Sequence, residues 1–426
     1  MKKITGNELI LGVQHMFAMF GATVLVPLLT GLDVATTLLM AGLGTLLFHL
    51  ITKGKVPAFL GSSFAFLGGY AAVAPLIDGA PNKEMLPYAS LGVVFAGLLY
   101  LVVALLFKLF DIKKVMKFFP PVVTGPIIIA IGLILAPSAI SNCQTNWFIA
   151  IVAFLTIVLC NIYGKGMIKI IPILIGVIVS MIVSVIVQLC GIEVFDPAKI
   201  QNLKDAAWLG FPINMEQSVF AVKDFSKVIS AIVAIMPISL ATMMEHIGDI
   251  SAISSTVGEN YIASVGLHRT LLGDGLATSL SAMFGGPANT TYGENTGVLA
   301  LTKIYNPRVV RIAAYLAVLL AFSPKVAAFI SLIPTAVIGG ISLMLYGMIS
   351  AIGTRNLVEN NVDLSKSRNI IVAATILVTA LGFNSIGGIS FEIAGASITL
   401  TGLAIAAVLG IIINAVLPGK DYEFKA

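Results

Sequence analysis

Long apolar stretches bounded by charged residues are the dominant pattern of this chain. Charge-free stretches run from Glu8 to Asp33, Asp33 to Lys53, Lys55 to Asp78, Glu84 to Lys108 and Lys169 to Glu193. A transmembrane helix needs about 20 consecutive, mainly apolar residues. Each of these stretches therefore predicts one membrane-spanning segment.

The span count follows from extending this pattern along the whole chain. The stretch from Lys117 to Lys165 is too long for one helix, and the polar sequence from Ser141 to Asn146 divides it, which gives seven spans in the first half. Seven more are predicted near residues 228–251, 270–285, 288–305, 307–332, 333–353, 369–385 and 391–417. The segments near 60–75, 270–285 and 288–305 are weak, because they are short or interrupted by Gly, Pro, Asn and Thr. The predicted fold is an all-α polytopic membrane protein with about 14 transmembrane segments.

Composition excludes most other classes of protein. Of 426 residues, 11% are charged and 58% are apolar, whereas a typical soluble domain is about 25% charged. A soluble enzyme, a nucleic-acid-binding protein and a disordered chain are therefore excluded. The three cysteines are scattered and suggest neither a disulfide framework nor a metal site. The first apolar stretch is long enough to span, so no removable signal peptide is predicted.

The distribution of basic residues predicts the orientation. With the N-terminus inside, the inner loops carry Lys2, Lys3, Lys53, Lys55, Lys108, Lys113, Lys114, Lys117, Lys165, Lys169, Arg269, Lys303, Arg308, Arg311, Arg355, Lys366 and Arg368. The outer loops carry chiefly Lys83, Lys199, Lys204, Lys223 and Lys227, mixed with acids. This asymmetry matches the positive-inside rule. A multi-pass protein of the plasma membrane (the bacterial inner membrane) with both termini cytoplasmic is expected.

The two halves of the chain resemble each other weakly. Gln14-His15 matches Glu245-His246, Pro57-Ala58 matches Pro287-Ala288, and the sequence from Pro120 to Gly125 matches that from Pro334 to Gly339. Seven spans per copy is an odd number, so the second copy must enter the membrane from the opposite side. An inverted repeat of this kind is typical of secondary transporters, whose substrate site lies near the midplane where broken helices meet.

Two weak segments occupy equivalent places in the two copies and predict that site. Gly61-Ser62-Ser63 and the sequence from Asn289 to Gly293 are poor helix interiors. Irregular backbone at membrane depth is tolerated only where it is buried in protein or lines a cavity. The helices that begin after these breaks would direct free N–H groups at a polar ligand. The alternative is that the breaks are packing kinks.

An acidic residue within a membrane span carries a large insertion cost, and three acids in the predicted spans are the clear candidates for a functional role. Glu245 and Asp249 are four residues apart and share a helix face, and Glu294 follows the second break. Nearby carboxylates in a low dielectric resist joint ionisation, so a proton is expected on one of them or shared, as proton coupling requires. The alternative is that the acids form buried pairs with Lys or His. His15 and His246 are expected to bond between helices, and Asp274 is expected to cap a helix.

At these residues the chain resembles the nucleobase–ascorbate transporter family, and within it the uracil permease branch. The most specific motif is Glu294-Asn295-Thr296-Gly297 followed by Thr302-Lys303. Gln14-His15, the sequences from Gly61 to Phe66 and from Asn289 to Gly293, and Glu245-His246-x-Gly248 are also similar. One departure is Asp249, where some uracil permeases carry His, which leaves the coupling site open.

The resemblance implies an architecture and a set of site residues. It implies core-domain spans at 1–117 and 228–332, gate-domain spans at 118–192 and 333–426, an outer loop at 193–227, and short antiparallel strands in spans 3 and 10. The implied uracil-binding residues are Glu245, Glu294, Phe64, Tyr292, Gly293, Ala22, Ser63 and Tyr346. Glu245 and Asp249 would couple transport to protons, while Gln14, His15 and Asn295 would support the site. A homodimer formed through the gate domains is also implied.

The expected function is import of uracil or a related nucleobase with protons by alternating access, without a cofactor or a nucleic-acid partner. Glu245 and Glu294 would hold two edges of a flat heterocycle, and Phe64 and Tyr292 would supply an aromatic face. A xanthine or urate permease of the same fold is the nearest alternative. An anion transporter and a channel are the others, while the sequence offers no nucleophile–base pair or metal set for an enzyme.

Overall fold

A computed structural model describes residues 5–77, 80–110, 112–117, 120–393 and 396–419. Lys2, Lys3 and Asp78, which entered the predictions above, lie outside the described residues, as do both chain ends. The elements within these ranges are mainly α-helices, joined by short 3-10 turns and two small antiparallel sheets.

The helices are α1 Gly6–Thr30, α2 Val34–Ile51, α3 Leu67–Val73, α4 Leu86–Leu109, α5 Ile112–Met116, α6 Pro121–Cys143, α7 Trp147–Tyr163, α8 Met167–Ile170, α9 Pro172–Leu189, α10 Pro197–Asp205, α11 Ser226–Ile235, α12 Ile238–Val257, α13 Leu267–Met283, α14 Gly293–Thr302, α15 Pro307–Ala321, α16 Pro324–Ser331, α17 Thr335–Glu359, α18 Ser367–Ser385 and α19 Gly402–Val416. The strands are β1 Leu60–Ser62, β2 Asn289–Thr291, β3 Ile389–Ile393 and β4 Ala396–Leu400.

Several of these helices can cross a membrane. Within the described ranges, eight helical segments are long and apolar enough, namely α1, α2, α4, α6, α9, α11 with α12, α17 and α18. The pair α15 and α16 would add a ninth but bends by 88°, and α7, α19 and the segment Phe64–Val73 are shorter apolar helices. The prediction of a mainly helical, multi-pass membrane protein is confirmed, whereas the count of fourteen stays a prediction.

Strands β1 and β2 form the centre of the fold, although they are 230 residues apart in sequence. They pair antiparallel, with Leu60 opposite Thr291, Gly61 opposite Thr290 and Ser62 opposite Asn289. All six residues are buried. The antiparallel strands expected in the third and tenth spans are therefore present, and the two halves of the chain meet there backbone to backbone.

Two threonines satisfy the outer ends of this strand pair, one from each half of the chain. Thr45 Oγ1 on α2 accepts from Leu60 N at 2.9 Å and donates to Leu60 O at 3.1 Å. Thr278 Oγ1 on α13 likewise accepts from Asn289 N at 3.2 Å and donates to Asn289 O at 2.8 Å. Backbone polar groups at membrane depth must be satisfied within the protein. The same residue type performs this task in both halves.

Helix α13 differs from the sequence expectation. The segment near 270–285 was expected to be weak, yet residues 270–283 lie within one uninterrupted helix. Its glycines serve close packing, because a Cβ at Gly273 would contact the Phe48 side chain and one at Gly275 would overlap Cβ of Tyr100. The expectation that Asp274 caps a helix is wrong, since Asp274 lies in the middle of α13, fully buried. Its Oδ2 is 3.4 Å from Nδ1 of His246 on α12.

Candidate functional site

One large cavity reaches the central strand pair. Its volume is about 1490 Å³, and its wall is formed by residues of α6, α12, β2, α14 and α17, with Phe64 after β1. From the strands it extends to the end of the molecule that holds Lys117, Arg355 and Arg368. A cavity of this size exceeds the range of roughly 300–1,000 Å³ found for small-molecule sites, which is consistent with an open vestibule leading to a smaller pocket.

The three intramembrane acids predicted from the sequence line this cavity together. Glu245 and Asp249 come from α12 and Glu294 from the first turn of α14. All three are half-buried, and Glu245 is close enough to Glu294 to interact electrostatically. The structure thus brings side chains from two separate segments onto one wall.

Glycines give the cavity access to these carboxylates. A Cβ built at Gly248, Gly293 or Gly297 would have no heavy atom of the described chain within 4 Å. Gly248 lies between Glu245 and Asp249, and Gly293 directly precedes Glu294. Because these positions have no side chain, a planar ligand can approach the carboxylate of each acid closely.

Asp249 is held by a residue that the sequence analysis did not select. Thr291 Oγ1 donates to Asp249 Oδ2 at 2.8 Å and lies 3.5 Å from His246 Nδ1. Because Thr291 is the last residue of β2, the strand crossing fixes the position of the carboxylate on α12. The only sequence signal was the polar composition of the break, which gives no individual partner.

Glu294 occupies a favourable position for a negative charge. Helix α14 starts at Gly293, so the carboxylate lies in its first turn. Unpaired N–H groups at a helix N-terminus carry a partial positive charge and stabilise a nearby anion by typically 0.3–1 kcal/mol. The same N–H groups are available to a ligand in the cavity.

Tyr292 and Phe64 were both predicted to supply an aromatic face, and the structure places them differently. Phe64 is half-buried on the cavity wall. Tyr292 contributes to the wall but is 5% exposed, and its hydroxyl donates to Ser62 O at 2.8 Å. Thr23 Oγ1 donates to the same hydroxyl at 3.3 Å. The Tyr292 side chain therefore ties β1, α1 and the start of α14 together.

The supporting residues form a second link between the halves. Asn295 Nδ2 on α14 lies 3.1 Å from His15 Nδ1 and donates to His15 O at 3.0 Å. Both side chains are buried. Gln14 is half-buried, and its Oε1 has no hydrogen-bond partner among the described residues. The supporting role of these residues stays a prediction.

Three predicted binding residues lie behind the cavity wall. Ala22, Ser63 and Tyr346 are at most 2% exposed and are not among the described residues that line the cavity. The Ser63 amide donates to Ala288 O at 2.8 Å, which extends the strand pair by one hydrogen bond. Tyr346 is packed into the apolar core on α17. In this conformation none of the three forms part of the open cavity.

The far end of the cavity is basic and rich in amides. Arg368 Nη2 donates to the side-chain oxygen of Asn414 at 2.6 Å, and its Nη1 donates to Asn369 at 3.1 Å. Asn356 Nδ2 on α17 donates to Thr124 Oγ1 on α6 at 3.0 Å. The sequence analysis used Arg355 and Arg368 for orientation only and did not place them at the cavity.

Comparison with known proteins identifies the family. The family model described as "Permease family" (Xan_ur_permease) matches residues 6–386. The chain belongs to this permease family. It is a multi-pass membrane transporter and not an enzyme, and the family resemblance stated from the sequence motifs is confirmed.

Relatives are similar over almost the whole chain. A uracil permease of Bacillus caldolyticus is 40% identical, with 97% of this chain and 93% of the relative covered. A uracil permease of Bacillus subtilis (strain 168) is 38% identical, with 96% and 92% covered. A putative pyrimidine permease of Escherichia coli (strain K12) is 39% identical, with 96% and 89% covered.

Solved structures show the same fold at low sequence identity. The transmembrane domain of the cyanobacterial bicarbonate transporter BicA superposes with a TM-score of 0.59 at 16% identity, covering 96% of this chain and 97% of that one. Murine Slc26a9, an anion transporter in the inward-facing state, gives a TM-score of 0.66 at 12% identity, with 98% and 68% covered. At these identities the likeness shows the fold alone.

Proposed function

We propose that this permease imports uracil together with protons by alternating access. The observation that carries the proposal is that Glu245 and Glu294 line one cavity at the point where the two strand breaks cross. The chain that holds them is 38–40% identical to uracil permeases over nearly its full length.

Two carboxyl groups on one wall suit the edges of a pyrimidine dione. A carboxylate accepts from ring N–H groups, whereas a protonated carboxyl group also donates to a carbonyl oxygen. Glu245 and Glu294 would contact adjacent N–H and C=O groups of the base, and Phe64 would pack on its face. A site built to hydrogen-bond these groups rejects a base that lacks them, because the buried carboxyl groups are then left unpaired.

Proton coupling follows from the same cluster. Glu245 and Asp249 lie one helical turn apart, and Glu294 faces the same cavity. Carboxylates this close repel one another when ionised, so we infer that they are not all charged at once and that a proton enters with the substrate or remains bound. The proton that uracil binding needs on Glu245 would be the one that is transported.

The packing of the helices supports an inverted repeat of seven spans. Three contacts between helices each have a counterpart with the two halves exchanged. The contact of α4 with α13 corresponds to that of α15 with α2, and the contact of α1 with α15 corresponds to that of α11 with α4. The contact of α7 with α17 corresponds to that of α18 with α6. Each comparison exchanges a first-half helix for its predicted second-half counterpart. Fourteen spans are obtained from the described elements when β1 with α3, β2 with α14, α11 with α12, and α15 with α16 are each counted as one span and the short helices α5, α8 and α10 are left out.

The cavity direction supports an inward-facing state. The end of the cavity away from the strands holds Lys117, Arg355 and Arg368, which the positive-inside rule assigns to the cytoplasm. Its wall combines α12 and α14 of the predicted core with α6 and α17 of the predicted gate. Movement of the core against the gate would close this vestibule and open the other side, with both termini remaining cytoplasmic. Pairing of two gate domains would give the homodimer.

Uptake by proteoliposomes tests the proposal. Labelled uracil should accumulate when an inward proton gradient is imposed and should equilibrate without accumulation when an ionophore collapses the gradient. Glu245→Gln and Glu294→Gln should each reduce accumulation at least 100-fold, as expected when a transition-state or binding contact worth about 3 kcal/mol is lost. Glu259→Gln is the matched control, because Glu259 is exposed in the loop after α12.

Different results would point to other functions. Competition by xanthine or urate that exceeds competition by uracil would indicate a purine permease of the same fold. Uptake of bicarbonate or sulfate without nucleobase uptake would indicate an anion transporter. Full accumulation by either glutamine variant would contradict the assigned roles.

A further inference from the structure

We propose that Trp208, Leu209 and Phe211 form an interfacial anchor that inserts into the outer leaflet of the lipid bilayer. The anchor lies in the segment between α10 and α11, outside the site described above. Its partner is the boundary between lipid headgroups and acyl chains.

The backbone of the anchor is held rigidly on the bend between α15 and α16. Gly210 N donates to Phe322 O at 2.9 Å, and Lys325 N donates to Ala207 O at 3.0 Å. A Cβ at Gly210 would meet Cγ of Pro324 at 2.6 Å, which shows how closely the segment approaches the bend. These side chains are therefore presented by a fixed backbone rather than by a loose loop.

The anchor side chains are nevertheless among the most exposed apolar groups of the chain. Trp208, Leu209 and Phe211 are 76%, 79% and 77% exposed. Removing such large apolar side chains from water is favourable. Three neighbouring side chains that are fixed and unburied form an exposed patch of the kind that marks an interaction surface.

The patch lies near an exposed apolar surface of α15. Tyr315 and Leu319 are one turn apart on that helix and are 55% and 67% exposed. The opposite side of α15 packs on α1 and α2. Phe322, which accepts the hydrogen bond from Gly210, follows Leu319 by three residues. An apolar surface thus runs from the side of a membrane helix directly onto the anchor.

The 88° bend fixes the level of the patch in the membrane. With α15 taken as a crossing segment, the 88° bend turns α16 nearly parallel to the membrane plane. Helices in that orientation lie at the boundary between headgroups and acyl chains. Helix α10 packs against α16, which places the segment that follows it at the same depth.

The polar groups around the anchor fit a headgroup layer. Lys325 Nζ donates to Leu203 O at 2.8 Å and to Lys204 O at 3.0 Å, and it lies 5.6 Å from the centroid of the Trp208 ring. Tryptophan beside Lys is the composition found at membrane interfaces. Acids of the same loop, such as Asp196 and Asp205, offset its lysines, so apolar insertion rather than attraction to anionic lipid carries the contact.

The anchor lies between the predicted core and gate domains along the chain. The segment containing α10 leads from α9 of the predicted gate to α11 of the predicted core, and α16 leads from core to gate. The anchor lies where these two connections touch. Lipid contact there would hold both connections at a constant depth.

Fluorescence of a single tryptophan tests the insertion, because the chain has only two, Trp147 and Trp208. The variant Trp147→Phe, reconstituted in nanodiscs of phosphatidylcholine, leaves Trp208 as the reporter. Lipids brominated near the top of the acyl chain should quench most of its emission, while aqueous acrylamide should quench it weakly. Trp208→Phe is the control that reports Trp147.

Two results would overturn the proposal. Efficient quenching of Trp208 by acrylamide with none by brominated lipid would place it in water. Protection from both quenchers that disappears on dilution to one chain per disc would indicate a second copy of the chain as the partner. Neither result would affect the uracil uptake experiment.

A second measurement covers the case in which the tryptophan variant is unstable. The variant combining Leu209→Ser and Phe211→Ser retains Trp208. In detergent micelles that cover the variant and the parent chain to the same extent, the two should unfold at the same temperature. In nanodiscs its unfolding temperature should be lowered. An equal decrease in both media would contradict lipid insertion.

Discussion

The two halves of the molecule meet at the strand crossing with the same backbone device but different chemistry. In each half a three-residue strand is tied by one threonine, Thr45 or Thr278, and is followed by a short helix. After the first break the cavity receives Phe64, whereas after the second it receives Glu294. Glu245 and Asp249 on α12 also belong to the second half.

The two halves therefore have different roles at the site. The second half supplies every acid on the described cavity wall, and the first half positions the elements that carry them. His15 accepts from Asn295, and the carbonyl group of Ser62 accepts from Tyr292. A repeated scaffold can therefore hold a site whose charges come from one copy, because the other copy needs only to supply a matching surface.

The comparison of Gly61 with Gly293 gives the largest expected effect on stability. A Cβ at Gly61 would overlap the Tyr292 ring, which hydrogen bonds hold in place, whereas one at Gly293 would point into the cavity. Gly61→Ala should destabilise the protein by about 2–3 kcal/mol. Gly293→Ala should leave the unfolding temperature unchanged and weaken uracil binding. Thermal unfolding by scanning fluorimetry and calorimetric binding separate the two.

The opposite pattern would contradict this division of roles. A stable Gly61→Ala variant with normal uptake would show that the crossing is loosely packed. A strongly destabilised Gly293→Ala variant would show that the glycine serves folding rather than access.

A smaller effect is expected from Tyr292→Phe. The change removes the hydroxyl that donates to Ser62 O and accepts from Thr23, and a buried hydrogen bond contributes about 1 kcal/mol. The unfolding temperature should fall by a few degrees, with little change in uracil affinity. Tyr163→Phe is the control, since Tyr163 is 74% exposed. A large loss of affinity with full stability would instead indicate direct contact of the hydroxyl with substrate.

The smallest effect is expected at the outer surface. Lys227 Nζ donates to Glu84 Oε1 at 2.7 Å, and this hydrogen bond holds the pKa of Glu84 below its usual value. A lowered folded-state pKa stabilises the protein above the unfolded value of about 4.3 and is lost as pH falls below it. Glu84→Gln should therefore shift the unfolding temperature barely at pH 7 and not at all near pH 3, because exposed pairs contribute little. A marked decrease at pH 7 would give this pair a larger role.

Much of this arrangement is readable from the sequence. Charge-free stretches indicated the membrane helices, and the two breaks, composed mainly of Gly, Ser, Asn and Thr, indicated where helices could not continue. The acids Glu245, Asp249 and Glu294 were identifiable because an isolated carboxylate is costly inside a membrane. These signals are local in sequence or follow from solvation alone.

The remaining features depend on contacts between distant segments. Thr291 holds Asp249 only because β2 crosses beside α12, and Tyr292 is largely buried in the cavity wall because its hydroxyl bonds to Ser62 and Thr23. The expectation that Asp274 caps a helix was wrong because its flanking glycines suggested a helix start. In the fold those glycines allow close helix packing.

Calorimetric titration of uracil into purified protein tests the central claim most directly. The wild-type chain and Glu259→Gln should bind uracil with equal affinity, while Glu245→Gln and Glu294→Gln should each show no measurable binding at the same protein concentration and an unchanged unfolding temperature. Wild-type affinity in either of the last two variants would contradict the account.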